Sequence, residues 1–317
     1  MTARPVSYGD VTAEYLAARS EAGRVDGLYE LVWFTGPDAV SFLESLLSQN
    51  VADQPPGTVR RSFLLEPRGR ITALLWVLRG EDRVGLLTDA GYGQVVADAL
   101  TRYRIRVKVD IALDDRALVT RVGPDSPAVD GWEESHGVLT AGLPLAGNVR
   151  SVTTADPDLP RVGTLAWTAV RVEAGDPVMG VDVDSDTMPH ETGLVPDAVD
   201  FAKGCFLGQE LVARVDSRGG NAPRRLMGVI VTTNVIPPAG AEIVMEDRVV
   251  GKLTSPAESL TLRSPVGLSL LHRSVEPGDA LVIRFEGGEA SSAAAELPMV
   301  GLCSTGSSTS LAISSPT

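Results

Sequence analysis

At 317 residues, with 44% hydrophobic and 22% charged, the chain is long enough to bury a sizeable core and to form two or three compact units. A net charge of −13 argues against a protein that coats nucleic acid, because duplex binding rests on neutralising phosphates with Lys and Arg. No apolar run is long enough to span a bilayer and no leader-like start is present, so the expectation is a cytoplasmic chain that does not cross a membrane.

Residues 10–22 place Val11, Tyr15 and Ala18 on one helical face, and the apolar stretch Leu28 to Phe34 then reads as a strand. In TGPDAVSFLESLLSQNV, Pro37 suits a first helical turn, and Ala39, Phe42, Leu43, Leu46 and Leu47 recur at three- and four-residue steps, which predicts a second helix. Ser62 to Leu65, Ile71 to Leu78 and Val84 to Leu87, separated by the turn-prone EPRGR and RGEDR, read as a meander of strands. Gly93 to Tyr103 carries Val95, Val96, Ala99, Leu100 and Tyr103 on one helical face. The following RIRVKVDI alternates as a strand does, sending Arg102, Arg104, Arg106 and Lys108 to one face and Tyr103, Ile105, Val107 and Val109 to the other. Residues 112–160 are rich in Gly, Pro, Asp and Ser, with short apolar islands such as Ala117 to Val122, and read as a variable connection.

From residue 224 the runs Leu226 to Thr232, Glu242 to Met245, Val249 to Leu253, Val266 to Leu271 and Ala280 to Phe285 are short and β-rich, with turns such as PPAG, MEDR and EPGD between them. They predict a small β-barrel over 224–303. The Ser/Thr-dominated stretch 304–317 has little to bury and is expected to be a disordered tail, with Cys303 at its edge. The expected class is therefore α+β, with residues 1–223 forming two intertwined α+β subdomains ahead of the barrel.

Cys205 and Cys303 are too far apart and too few for a disulfide scaffold or for paired metal-ligand spacing. Cys205 lies in KGCFLGQELVAR, Lys203 to Arg214, where a helix-like pattern with Leu211, Val212 and Val215 begins just after it. A helix N-terminus and the Lys203 ammonium would both favour a thiolate, the reactive and metal-binding form. The competing reading is a small buried apolar cysteine, with Gly204 and Gly208 merely shaping a turn. Three basic clusters, Arg60/Arg61/Arg68/Arg70, Arg102 to Lys108 and Arg214/Arg218/Arg224/Arg225, would hold carboxylates if they converged, and would otherwise be solvated surface. His136, His190 and His272 lack metal-ligand or triad spacing, no metal site is expected, and Asp182, Asp184 and Asp186 read as a solvated strand face or turn rather than a calcium loop.

The run Lys203-Gly204-Cys205-Phe206-Leu207-Gly208-Gln209-Glu210 resembles the hallmark of the folate-binding YgfZ branch of the glycine-cleavage T-protein superfamily. Arg171 to Leu194, FTGPDAVSFLESLLSQNV, the RGRI turn and the late GKLTSP, VGLSLLHR and EPGD elements extend the likeness over roughly residues 8–300. The resemblance implies three subdomains in a ring around a central cavity holding tetrahydrofolate or a one-carbon derivative, with the hallmark cysteine near it. It implies Cys205 as the key thiol, tuned by Lys203, Gly204, Phe206, Gly208, Gln209, Glu210 and Arg214, and folate contacts drawn from Arg70, Arg171, Glu173, Glu191 and Arg225. T proteins that cleave glycine resemble one another in Gly-Gly-x-x-Asp-Asp-Leu, whereas this chain reads Gly69-Arg70-Ile71-Thr72-Ala73-Leu74-Leu75. With Ala73 and Leu74 there, the carboxylate that would stabilise the reacting amine is missing. The resemblance thus implies a folate-binding accessory factor for iron-sulfur cluster assembly or repair, indirectly supporting tRNA modification, with iron-sulfur enzymes or assembly proteins as partners. The alternatives are a folate-dependent one-carbon transferase using another carboxylate, such as Glu173 or Glu191, and a folate-sensing module with a structural cysteine.

Overall fold

A computed structural model describes residues 4–301; the stretch 304–317 and Cys303 lie outside the described residues. Helix α1 (Val11–Ser20) starts at Asp10, whose carboxylate accepts from the Ala13 N–H at 3.0 Å. It buries Tyr15, Ala17 and Ala18, while Val11 stays 40% exposed, so the packed face is rotated from the expected one. The chain continues through β1 (Gly23–Asp26), which the sequence reading missed, into β2 (Tyr29–Thr35).

Helix α2 (Ala39–Glu44) is shorter than its apolar pattern suggests. Asp38 is its N-cap, so Pro37 precedes the helix, and Leu47 leaves the helical path to form a bridge with Leu64. The meander is β3 (Val59–Leu65), β4 (Ile71–Arg79) and β5 (Arg83–Asp89), followed by α3 (Gly93–Thr101) and β6 (Asp110–Leu113). These strands form an antiparallel sheet in the order β3-β4-β5-β2-β6. Both faces are covered, so the strands read as nearly unbroken apolar runs: Val32, Phe34, Leu75 and Val77 pack on α2 and α3, and Leu31, Trp33, Trp76 and Leu78 face a second sheet. Arg104 to Val109 is not a strand: Arg106 adopts φ +58° and Ile105 is 74% exposed, so the alternation is broken and pairing starts only at Asp110.

The stretch 112–160 is a sheet rather than a connection. Strands β7 (Val119–Val122), β8 (Trp132–Ser135), β9 (Val138–Gly142) and β10 (Arg150–Thr153) join β1 in the antiparallel order β1-β7-β10-β9-β8. Four of these five strands have only four residues, too short for a periodic signal. Helix α4 (Thr164–Ala174) packs Trp167, Val170 and Val172 with Tyr15 and Ala18 of α1, and ends at Gly175, whose φ of +72° closes a left-handed cap. A 3-10 turn (Pro189–Glu191) and helices α5 (Val195–Ala198) and α6 (Gln209–Asp216) lead to the third unit.

That unit comprises β11 (Arg224–Val231), β12 (Glu242–Met245), β13 (Arg248–Lys252), β14 (Ala257–Ser259), β15 (Ser264–His272), β16 (Ala280–Phe285) and β17 (Gly288–Ala295). The strand order is β13-β12-β16-β17-β11-β15-β14. The sheet curls until β13 meets β15: a Cβ on Gly251 would stand 3.0 Å from the Leu270 carbonyl. Met227, Val229, Ile243, Leu271, Leu281 and Ile283 fill the barrel. The expected α+β class with a C-terminal barrel is therefore present, and the barrel packs Leu226, Ala257, Val266 and Leu268 against α1 and α4.

Candidate functional site: a cleft between the two sheets

A cleft of about 760 Å³ opens between β3 and β4, the β9–β10 turn, and the segments 174–176 and 194–197. It shares Arg61, Trp76, Asp176 and Leu194 with a smaller inner cavity of about 30 Å³. Through Ala174, Gly175 and Leu194 it adjoins a further 320 Å³ against the barrel. On the face of the first sheet toward the second, Phe63 pairs with Leu74 and Tyr29 with Asp89, and the Leu75–Thr88 pair sets Leu74 beside Asp89. Phe63, Leu74, Asp89 and Tyr29 are one cross-strand row, and all four line the inner cavity.

A buried ionic cluster stands over this row. The Arg150 side chain is fully buried; its Nη1 donates to the Tyr29 hydroxyl at 2.8 Å and to Asp176 Oδ2 at 2.5 Å, and its Nη2 donates to the Pro144 carbonyl at 3.0 Å. The other Asp176 oxygen accepts from Arg61, whose guanidinium lies 4.5 Å from the centre of the Trp76 ring. Burial pushes the Asp176 carboxyl up, but the Arg150 and Arg61 charges outweigh it and hold it below the ordinary range. Asp89 differs. Its Oδ2 accepts from the Met179 N–H at 2.9 Å and it forms no ion pair among the described residues. Burial therefore dominates and pushes its carboxyl up to about 7, the Met179 N–H opposing and the Asp176 charge adding. Two neighbouring carboxyl groups are thus driven apart, one ionised and one poised to carry a proton.

Sequence reasoning missed Tyr29, Trp76, Asp89, Arg150 and Asp176, which are scattered singly along the chain. Two signals were present: Asp89 is a lone acidic residue closing the apolar run Val84 to Leu87, and Asp176 follows the Gly175 helix stop.

The residues expected to contact folate are placed elsewhere in this network. Glu173 is fully buried; its Oε1 accepts from Tyr15 at 2.5 Å and Ser259 at 2.6 Å, tying α4 to α1 and the barrel. Burial followed by this bond pushes the Tyr15 hydroxyl up to about 12. Glu191, also fully buried, accepts from Arg224 at 2.8 and 3.0 Å and from the Met188 N–H at 2.9 Å. Arg171 donates to Asp182 at 2.7 Å and Ser255 at 2.6 Å, lining a separate 290 Å³ cavity behind Asp89 and Tyr29. Asp182 is 2% exposed and so is not a solvated residue. Arg225 pairs with Glu276 at 2.6 Å at the barrel edge, and Arg70 donates to the Asp186 carbonyl at the β3–β4 turn. The basic clusters therefore do not converge: local carboxylates or carbonyls take Arg61, Arg70, Arg104, Arg224 and Arg225. Ala73 is buried on the helix side of β4, and Leu74 faces the inner cavity.

The hallmark loop folds back on the first sheet. Lys203 Nζ, on a side chain 1% exposed, donates to the carbonyls of Glu44, Leu47 and Gln49 at 2.6, 2.9 and 2.9 Å, and Glu44 Oε1 lies 3.2 Å away. It therefore caps the end of α2 and does not serve the thiol. Phe206 packs with Phe63, Ile71 and Val212, while Cys205 is exposed and not among the residues lining the cavities above. Gln209 and Glu210 open α6, and Glu210 and Arg214 are exposed. Gly204 is exposed with open space at its Cβ. Gly208 is different: at φ +78°, a Cβ would stand 2.5 Å from the Glu66 carbonyl. Gly208→Ala is expected to cost about 2–4 kcal/mol of stability, read as a shifted urea midpoint at unchanged slope. Among the described residues no group of three or more His, Cys, Asp or Glu could hold a metal ion, and no helix is long and apolar enough to cross a membrane.

Comparison with known proteins places this geometry. Residues 2–130 match the GCVT N-terminal domain, and residues 224–300 match the glycine cleavage T-protein C-terminal barrel domain. An aminomethyltransferase of Streptomyces avermitilis is 30% identical over 87% of this chain and 85% of its own length. An uncharacterized protein of Haemophilus influenzae is 26% identical over 69% of this chain and 76% of its own. The crystal structure of the glycine cleavage system aminomethyltransferase T from Bartonella henselae superposes with a TM-score of 0.83 at 22% identity, covering 94% of this chain and 91% of that one. With both domain types in order and a relative of that identity along nearly its whole length, the chain belongs to the glycine-cleavage T-protein (aminomethyltransferase) family.

Proposed function

We propose that this protein is a YgfZ-type member of that family, which binds tetrahydrofolate or a one-carbon derivative in the central cleft and supports iron-sulfur cluster assembly or repair through Cys205. The observation that carries the folate reading is the cleft itself. Its volume suits a ligand of that size, Trp76 contributes an aromatic wall, and Arg60, whose side chain pairs with no carboxylate among the described residues, lines it with the charge a glutamyl carboxylate needs, while Arg61 is engaged by Asp176. Leu74 at the inner end supports a function other than aminomethyl transfer by the usual aspartate, since an alkyl side chain can neither accept nor donate a proton. An exposed thiol on a loop anchored by Lys203 and Phe206 supports a role toward another macromolecule, an iron-sulfur enzyme or assembly protein in the cytoplasm, because a partner can reach it.

The test replaces the native protein in cells by wild type or by Cys205→Ala. The exposed site predicts a stability change within about 0.5 kcal/mol, so a phenotype reports on the thiol and not on folding. Lost iron-sulfur enzyme activity with folate binding retained is the expected result; full activity would contradict the thiol role and leave a folate-sensing module. A second reading, a folate-dependent one-carbon transferase, is favoured by one observation: Glu173 and Glu191 are held inside the protein, but Asp89 faces the inner cavity. Turnover of a folate one-carbon unit with a defined acceptor would establish it.

A further inference from the structure

We infer that residues 102–108 are a docking surface, on which an acidic protein settles with an apolar recess over Ile105, and that the docked partner meets Cys205 at the other end of α2. The inference rests on the reading of Cys205 as a thiol that acts toward another macromolecule. Ile105 is 74% exposed, the most exposed large apolar side chain among the described residues. Regular alternation would have packed it with Val107 and Val109 in the core beneath α2 and α3; the left-handed Arg106, at φ +58°, turns it outward. The loop is held in that shape by its own backbone: the N–H groups of Tyr103, Arg104 and Ile105 donate to the carbonyls of Leu100, Thr101 and Tyr103 at 3.0, 3.1 and 2.8 Å. An apolar side chain kept in water on a fixed loop is an anchor whose ordering cost is already met, ready for a partner to bury.

Arg102, Arg104, Arg106 and Lys108 around this tip are all exposed. Arg104 pairs with Asp110 at 3.2 Å, while Arg102, Arg106 and Lys108 form no ion pair among the described residues. On a chain of net charge −13 these free cations attract an acidic surface that the rest of the molecule repels, so such a partner is steered to this face. A bilayer fits less well: one isoleucine inserts far less apolar surface than the single acyl chain that gives only marginal membrane binding, and the net charge opposes an anionic leaflet. The position joins the surface to the hallmark loop. The Lys108 N–H donates to Asp38 Oδ2 at 2.7 Å at the start of α2, and Lys203 Nζ donates to the Glu44 carbonyl at its end. Asp38 and Glu44 are about 9 Å apart along the helix axis, and Val107 and Leu207 pack on the same core. A standard interface covers about 800 Å² per partner, so one bound protein spans both loops.

The test expresses wild type, Cys205→Ala, Ile105→Asp and the triple reversal Arg102→Glu/Arg106→Glu/Lys108→Glu in cells lacking the native protein, and reads iron-sulfur enzyme activity. Both loop variants are expected to keep the wild-type urea midpoint and tetrahydrofolate affinity, and to lower that activity about tenfold at native expression. Raising their expression about tenfold restores it by mass action, whereas Cys205→Ala stays inactive at any level. Full activity of either loop variant at native expression beside an inactive Cys205→Ala, or a loss that higher expression does not restore, would overturn the docking surface alone. Full activity of Cys205→Ala would overturn the thiol reading, and this inference with it. Sedimentation with vesicles of phosphatidylglycerol and phosphatidylcholine decides the class of partner: the wild type is expected to stay in solution, and binding that the triple reversal abolishes would make the surface a lipid contact and overturn the protein reading. If the triple reversal does not fold, Ile105→Asp decides alone.

Discussion

Arg150→Ala is expected to cost about 3–5 kcal/mol of folding stability and to abolish binding in the central cleft. The guanidinium is wholly buried and holds together three elements: the Asp176 carboxylate, the Tyr29 hydroxyl, and the Leu143 and Pro144 carbonyls of the β9–β10 connection. Removing it leaves Asp176 with Arg61 as its remaining cation, two carbonyls without donors, and a void too polar to close on itself. Denaturant unfolding measures the loss. Asp176→Asn in the Arg150→Ala background should recover part of it, since the stranded charge goes with the carboxylate; strict additivity of the two changes would contradict the coupling.

Lys203→Met is the second large effect, expected at about 3 kcal/mol. The methionine matches the stem but removes a buried ammonium serving the Glu44 carbonyl at the end of α2, where a helix leaves its last acceptors unpaired, and the Leu47 and Gln49 carbonyls in the turn that follows. The burial that pushes the Lys203 ammonium down is opposed by Glu44, so the pair stands or falls together. The contrast with Cys205→Ala, two residues away, divides the motif by physics. The lysine and the phenylalanine hold the loop on the first sheet, and the cysteine is what the loop presents. A Lys203→Met protein as stable as wild type would contradict that division.

How much of this was legible in the chain follows from where the physics writes a pattern. β3, β4 and β5 were readable because both faces are buried and the runs are continuous, and most of the barrel strands because turns punctuate them. The second sheet was not, since four-residue strands among Gly, Pro and Asp show no period, and β17, GEASSAAA, has too little apolar surface to register. RIRVKVDI shows the opposite failure: perfect alternation in a segment that Arg106 turns out of the extended region. The site was legible only as a family motif. Its working groups are single residues from β2, β3, β4, β5, β10 and the turn after α4, brought together by the sheets, and no local spacing announces them.

The most direct measurement of the central claim is hydrogen exchange of the wild-type protein with and without tetrahydrofolate, run under anaerobic conditions beside a calorimetric titration. Saturable one-to-one binding with new protection in β3, β4 and residues 174–197, the walls of the cleft, is the predicted result. No binding, or protection confined to the barrel or to the Cys205 loop, would contradict it.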